Sequence, residues 1–129
     1  MIGLLQGVQI HLCTHPTDMR RGFDGLSGMV TSLLEQDPLS GHLFVFRNRN
    51  RDKLKILYWD SDGLAIWYKR LEQGTFQFPI DGKAKDDLAA GVVITTSELS
   101  LLLGGIDLRS AKQRKRFVAP RNLALRKAK

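Results

Sequence analysis

Cysteine is nearly absent. The single Cys13 excludes an internal disulfide and any cysteine-rich zinc module. No apolar run is long enough to cross a bilayer. The start, Met1 to Leu12, lacks a basic n-region and a small-residue cleavage site, so it reads as mature sequence, and a reducing cytoplasm is the expected location. No internal repeat is present. Glycine-rich phosphate loops of either common type are missing, and no serine sits in a nucleophile-elbow pattern. Acid is missing too from the last stretch: Leu108 to Lys129 holds nine lysines and arginines and no aspartate or glutamate.

What remains is a chain of 129 residues, 43% hydrophobic and 26% charged, enough for one domain with its own core. The formal charge of +7 is unevenly spread. Residues 1–107 carry eleven basic against thirteen acidic residues, a formal −2, and the tail carries +9. Two parts are therefore expected: a domain over 1–107 and a basic tail over 108–129, mobile because it has little apolar surface to bury. A dense one-signed tail suits counterion displacement from nucleic acid. Lys112, Arg114, Lys115 and Arg116 are its densest cluster.

Hydrophobic spacing predicts the elements of the body. Val8–Leu12 reads as a strand. His15-Pro16-Thr17-Asp18 reads as a turn leading into a helix. Phe23, Leu26, Met29, Val30, Leu33 and Leu34 form a helical stripe over about Gly22–Gln36, stopped by Asp37-Pro38. Strands are expected at Leu43–Arg47, Leu54–Trp59 and Leu64–Leu71, with Asp62-Gly63 as a hairpin signal. Phe76 and Phe78 suggest a fourth short strand of this run. Asp81–Gly91 reads as a polar loop. Thr95 and Glu98 stand at capping-box spacing before a short helix, about Thr96–Leu103. The order β-α-β-β-β-α predicts an α+β domain: a mainly antiparallel sheet carrying one longer and one short helix.

Aromatic residues are concentrated in the meander. Phe44, Phe46, Tyr58, Trp59, Trp67 and Tyr68 fall within 25 residues and reach both faces of the sheet. One face packs on the helix stripe. The other needs cover from the second helix, a second copy or a partner. Trp59, Trp67 and Tyr68 are the partner-binding candidates.

Catalytic chemistry finds little support. His11, Cys13 and His15 alternate, yet three ligands on one strand span too far to close a tetrahedron, and no fourth ligand is marked. Asp60-x-Asp62-Gly63 resembles a fragment of a calcium loop, but Leu71 stands where the required glutamate belongs. Asp18, Asp24, Asp37 and Asp107 show no pairing of the kind a metal-dependent nuclease needs. No enzymatic activity, cofactor or metal is expected. The most suggestive segment is Arg47-Asn48-Arg49-Asn50-Arg51-Asp52-Lys53-Leu54-Lys55, where Arg47, Arg49, Arg51, Lys53 and Lys55 surround a hairpin tip and become the candidate nucleic-acid contacts. A solvated turn, with Lys53 and Lys55 on an open strand face, is the plain alternative.

Several linked segments carry a resemblance. These are Asp18-Met19-Arg20-Arg21-Gly22-Phe23-Asp24-Gly25-Leu26, Gly41-His42-Leu43-Phe44-Val45-Phe46-Arg47-Asn48-Arg49, Lys53-Leu54-Lys55-Ile56-Leu57-Tyr58-Trp59-Asp60, Trp67-Tyr68-Lys69-Arg70-Leu71-Glu72 and the Leu101–Asp107 ending. Together, over about residues 5–107, they resemble the short TnpB-type accessory proteins of the insertion-sequence family numbered sixty-six, which are distinct from the RNA-guided nuclease sharing the TnpB name. The resemblance implies a bacterial mobile-element protein, encoded beside a separate transposase, that assists DNA transposition, with no established catalytic activity and no established catalytic residues to carry over. Implied partners are that transposase and element DNA, with self-association a further expectation. A protein-only adaptor or dimerisation module and a cryptic metal-dependent nuclease are the competing readings.

Overall fold

A computed structural model describes residues 7–78 and 89–104. The elements are β1 (Ile10–Cys13), α1 (Phe23–Ser32), β2 (Leu43–Arg47), β3 (Lys53–Asp60), β4 (Gly63–Arg70), β5 (Gly91–Ile94) and α2 (Thr96–Gly104). They build an α+β fold around one five-stranded sheet in the order β4-β3-β2-β1-β5. The sheet is mixed. β1 and β2 are parallel, with α1 lying between them in sequence, whereas β1–β5, β2–β3 and β3–β4 are antiparallel. Three of the four strand pairs are antiparallel, as expected of a mainly antiparallel sheet. The parallel β1–β2 pair makes it mixed, because a helix-long crossover brings the chain back to the same end of the sheet before β2 begins, so β2 must run as β1 does.

Strand alternation separates two cores. Cys13, Phe44, Phe46 and Leu57 turn toward α1, which contributes Leu26 and Val30. Their sequence neighbours Leu12, Leu43, Val45, Leu54 and Ile56 turn the other way, toward Leu99 and Leu102 of α2 and toward Leu71, Phe76 and Phe78. The second face is thus covered by the chain's own helix and by the segment after β4. β1 and β2, in the middle, are buried at every position, as expected of strands packed on both faces.

Three local expectations change. Phe76 and Phe78 form no strand; both are buried plugs in irregular chain on the α2 face. The fifth strand is instead Gly91–Ile94, which pairs with β1, far away in sequence. A Cβ at Gly91 would stand 2.8 Å from Leu34 Cδ2, so a larger residue there would push the end of the Leu34 side chain aside. α1 ends at Ser32 rather than near Gln36, and Glu35 takes φ +54° as the chain turns toward β2. The β3–β4 turn centres on Ser61, at φ +56°, and Asp62, leaving Gly63 on the strand opposite Asp60.

The α2 start follows the capping box. Glu98 N–H donates to Thr95 Oγ1 at 3.0 Å, and Thr95 N–H donates to Glu98 Oε1 at 2.9 Å. The basic tail and most of the 81–91 loop lie outside the described residues. Among the described residues no helix is long and apolar enough to cross a membrane, and no group of three or more His, Cys, Asp or Glu side chains is placed to hold a metal ion.

His11 is a polar residue set in this core. It is 7% exposed, stacks on Phe44 with ring centroids 5.2 Å apart and stands 5.6 Å from His42. Among the described residues its buried Nε2 has no hydrogen-bond partner. Burial, and secondarily His42, lowers its pKa below the usual 6.5. The unfolded chain therefore takes up a proton below 6.5 that the folded chain refuses, so stability is full above that value and falls as pH drops toward the lowered one. Urea midpoints measured at about pH 7.5 and about pH 5 should fall between the two, and His11→Phe should flatten part of that fall. An unchanged pH slope in the variant counts against this assignment.

Candidate nucleic-acid interface

Topology sorts the charges. The β1–α1 connection, the β2–β3 tip and the C-terminal end of β4 all lie at one end of the sheet. This end carries Arg20, Arg21, Arg47, Arg49, Arg51, Lys53, Lys55, Lys69 and Arg70, which are all nine lysines and arginines among the described residues. Its acids are Asp18, Asp24, Asp52 and Glu72. The opposite end holds the α1–β2 connection, the β3–β4 turn and the start of α2. Among the described residues five acids lie there, Glu35, Asp37, Asp60, Asp62 and Glu98, with no lysine or arginine. Nine positive and nine negative formal charges cancel, yet they are separated along the strand direction.

Two of the predicted contact residues serve the fold from inside. Lys55 is 8% exposed. Its Nζ donates to Met19 O at 2.7 Å and to Arg21 O at 2.8 Å, and lies 4.7 Å from the centre of the Tyr68 ring. The carbonyls of the connection into α1 need donors where they cross the sheet, and Lys55 supplies them. This overturns the expectation of an open strand face at position 55: the 19–21 loop covers it. Arg47 is 7% exposed. It donates to Thr14 O at 2.8 Å, and its guanidinium sits 5.6 Å from the centre of the Phe78 ring.

The tip itself is fixed rather than projecting alone. Asn48 Oδ1 accepts from the backbone N–H of Asp52 and Lys53 at 3.1 and 3.0 Å, and Asn48 Nδ2 donates to Asp52 Oδ1 at 2.6 Å. Asp52 O and Arg51 O then accept from Leu71 and Phe76 N–H, both at 2.7 Å, which ties the tip to the chain after β4. Arg51 takes φ +60° to make this turn. Arg49 is exposed; Arg51 and Lys53 are half-buried.

Other cations at this end were not singled out from sequence. Arg20 and Arg21 are exposed on the loop that Lys55 holds, and the Arg21 stem packs on Gly25, where an added Cβ would meet its Cβ at 3.1 Å. Arg20 pairs with Asp18 at 2.7 Å, and the Asp18 carboxyl is pulled down to about 2 by that guanidinium. Lys69 and Arg70 end β4, with Arg70 on Glu72 at 2.9 Å. The available signal was the pair Arg20-Arg21 between a strand and a helix start.

The aromatic candidates do not form one patch. Trp59 and Tyr68 share the α1 face, and Trp67 lies on the α2 face. Tyr68 is 50% exposed beside the Lys55-held loop, and both tryptophans are half-buried. Lys112, Arg114, Lys115 and Arg116 lie outside the described residues.

Comparison with known proteins adds a family. The family described as IS66 Orf2 like protein matches residues 8–113, so the match runs past the body into the basic segment. Two Sinorhizobium fredii proteins are similar along nearly their whole length. The uncharacterized protein y4jC is 40% identical over 114 residues, covering 88% of this chain and 92% of its own. The uncharacterized protein y4hO is 38% identical over 109 residues, covering 84% and 89%. No solved structure matches.

Replacing Lys55 by Met keeps the stem and removes the ammonium. Two part-buried carbonyls then lose their donor, which should cost about 1–3 kcal/mol in chemical denaturation. The loop it held should also loosen, so trypsin should cut after Arg20 and Arg21 faster than in the native chain. Unchanged stability and cleavage would show that Lys55 does not hold the loop.

Proposed function

The chain belongs to the IS66 Orf2-like family, and from that premise we propose that it is a non-catalytic accessory protein of transposition that grips element DNA through its basic end and C-terminal segment. The observation that carries this reading is the gathering of every described lysine and arginine at one end, with five acids kept at the other. Arg20, Arg21, Arg49, Arg51, Lys53, Lys69 and Arg70 would meet phosphates. Arg47 and Lys55 act one step back, holding the backbone on which the others stand. Tyr68 offers an exposed ring beside them for sugar or base contact. The tail cations Lys112, Arg114, Lys115 and Arg116 extend the same non-specific, phosphate-directed contact.

The transposase is the proposed protein partner. Its docking surface would centre on Trp59 and Tyr68, which share one sheet face. If binding were to protein alone, that surface would be the whole interface and the basic end would play no part. The nuclease reading has no observation in its favour.

The test is a gel-shift titration with salt on duplex DNA of the element ends. Neutralising five or more phosphates should give a log–log slope of about −4.5 or steeper. Arg49→Ala with Lys53→Ala should make that slope shallower by about 2 while leaving the thermal midpoint near native. Salt-independent binding, or none, would sink the DNA reading and leave the protein-only adaptor.

A further inference from the structure

Among the described residues β4 is an edge strand without the usual protection. It runs for eight residues in unbroken register with β3, from Lys53↔Arg70 to Asp60↔Gly63. It contains no proline and no bulge, and between Leu64 and Tyr68 no charge. Natural edges are normally kept short, bulged or charged against pairing with another chain. The other edge, β5, is four residues long and satisfies that rule.

The direction of the free groups follows from the ladder. Leu71 N–H donates to Asp52 O, so the backbone groups of odd-numbered β4 residues face β3. Those of Leu64, Ile66, Tyr68 and Arg70 face away, and no described strand pairs with them. Even-numbered residues must therefore oppose even-numbered residues if the added strand is a second β4 running antiparallel along this edge.

We infer that the outer edge of β4 pairs antiparallel with β4 of a second copy, with Ile66 on the two-fold axis. In that register Leu64 opposes the partner's Tyr68, and Asp62, in the turn just before β4, comes beside the Arg70 that ends the partner's β4, twice by symmetry. Shifting the register by one allowed step toward the C-terminus would oppose Asp62 to the partner's Glu72, two like charges. Charge complementarity thus favours this register over that shift. It also acts on the larger scale, because antiparallel pairing lays the basic end of one copy beside the acidic end of the other. The result is a continuous ten-stranded sheet with two basic ends facing opposite ways. None of this depends on DNA binding.

Sedimentation equilibrium of the full chain at physiological ionic strength tests the inference. A monomer–dimer equilibrium is expected. Arg70→Asp and Asp62→Arg should each weaken it by about tenfold or more, since two attractive cross-strand pairs become repulsive, and the combined variant should recover most of the loss. Far-ultraviolet circular dichroism checks that each variant is folded. Independently of any variant, the amides of Leu64, Ile66 and Tyr68 should gain hydrogen-exchange protection as concentration rises. Those of Ala65 and Trp67, already bonded to β3, should not. A monomer at all concentrations, single swaps without effect, no recovery in the combined variant, or a dimer in which those three amides gain no protection would overturn the proposal.

Discussion

Burial of the central strands on both faces is the constraint from which the rest follows. β1 and β2 hide every side chain, so a charged group along them would have no water to reach. Charge is left with the strand ends and the outer strands. The α1–β2 parallel crossover then decides which connections share an end. The connection leaving β1, the β2–β3 tip and the end of β4 fall together, and each is rich in arginine or lysine. The connections at the other end are rich in acid. The polarity of the body is therefore a consequence of topology acting on short charged segments, rather than of one basic run.

The cations that do enter the interior show the same constraint from the other side. Lys55 and Arg47 each lie on or at the end of a buried strand, and each is admitted because backbone carbonyls of the β1–α1 connection wait there for donors. They bond the irregular segment 14–21 to the regular sheet, and the exposed Arg20 and Arg21 stand on that segment. His11 is the contrasting case. It has an aromatic neighbour but, among the described residues, no partner for Nε2, and burial pushes its pKa down.

Local signals were legible in sequence and long-range ones were not. The capping box of Thr95 and Glu98, the helix around Leu26 and Val30, and the three strands β2–β4 are set by spacing within a few residues, and all appear in the structure. β5 was missed because Gly91-Val92-Val93-Ile94 is too short to show a period and owes its existence to β1, about eighty residues earlier. Phe76 and Phe78 mimic a strand by alternation, yet they are buried because the second core needs filling, and burial does not require pairing. At the site, the hairpin cations were visible as a run. That Lys55 turns inward was not, because strand alternation alone cannot say that a distant loop roofs that face. Arg20 and Arg21 were visible as a pair but had no marked destination until the fold placed them beside Tyr68.

The separation of charge along the strand direction has a mechanical consequence. A strand end and a strand edge are perpendicular surfaces of the same sheet. In the proposed DNA complex, a polyanion drawn to the basic end would repel the five acids at the far end and so orient the body with its strands pointing at the nucleic acid and both edges clear of it. In the proposed assemblies, contacts between copies along β4 would draw on edge backbone and contacts with phosphate on side chains at the strand ends, and Arg70 and Tyr68 would belong to both. One small sheet can in this way meet two kinds of macromolecule without one excluding the other. What decides the partner at each surface is the direction in which the sheet leaves its unpaired groups: hydrogen-bonding backbone at the side, charge at the end.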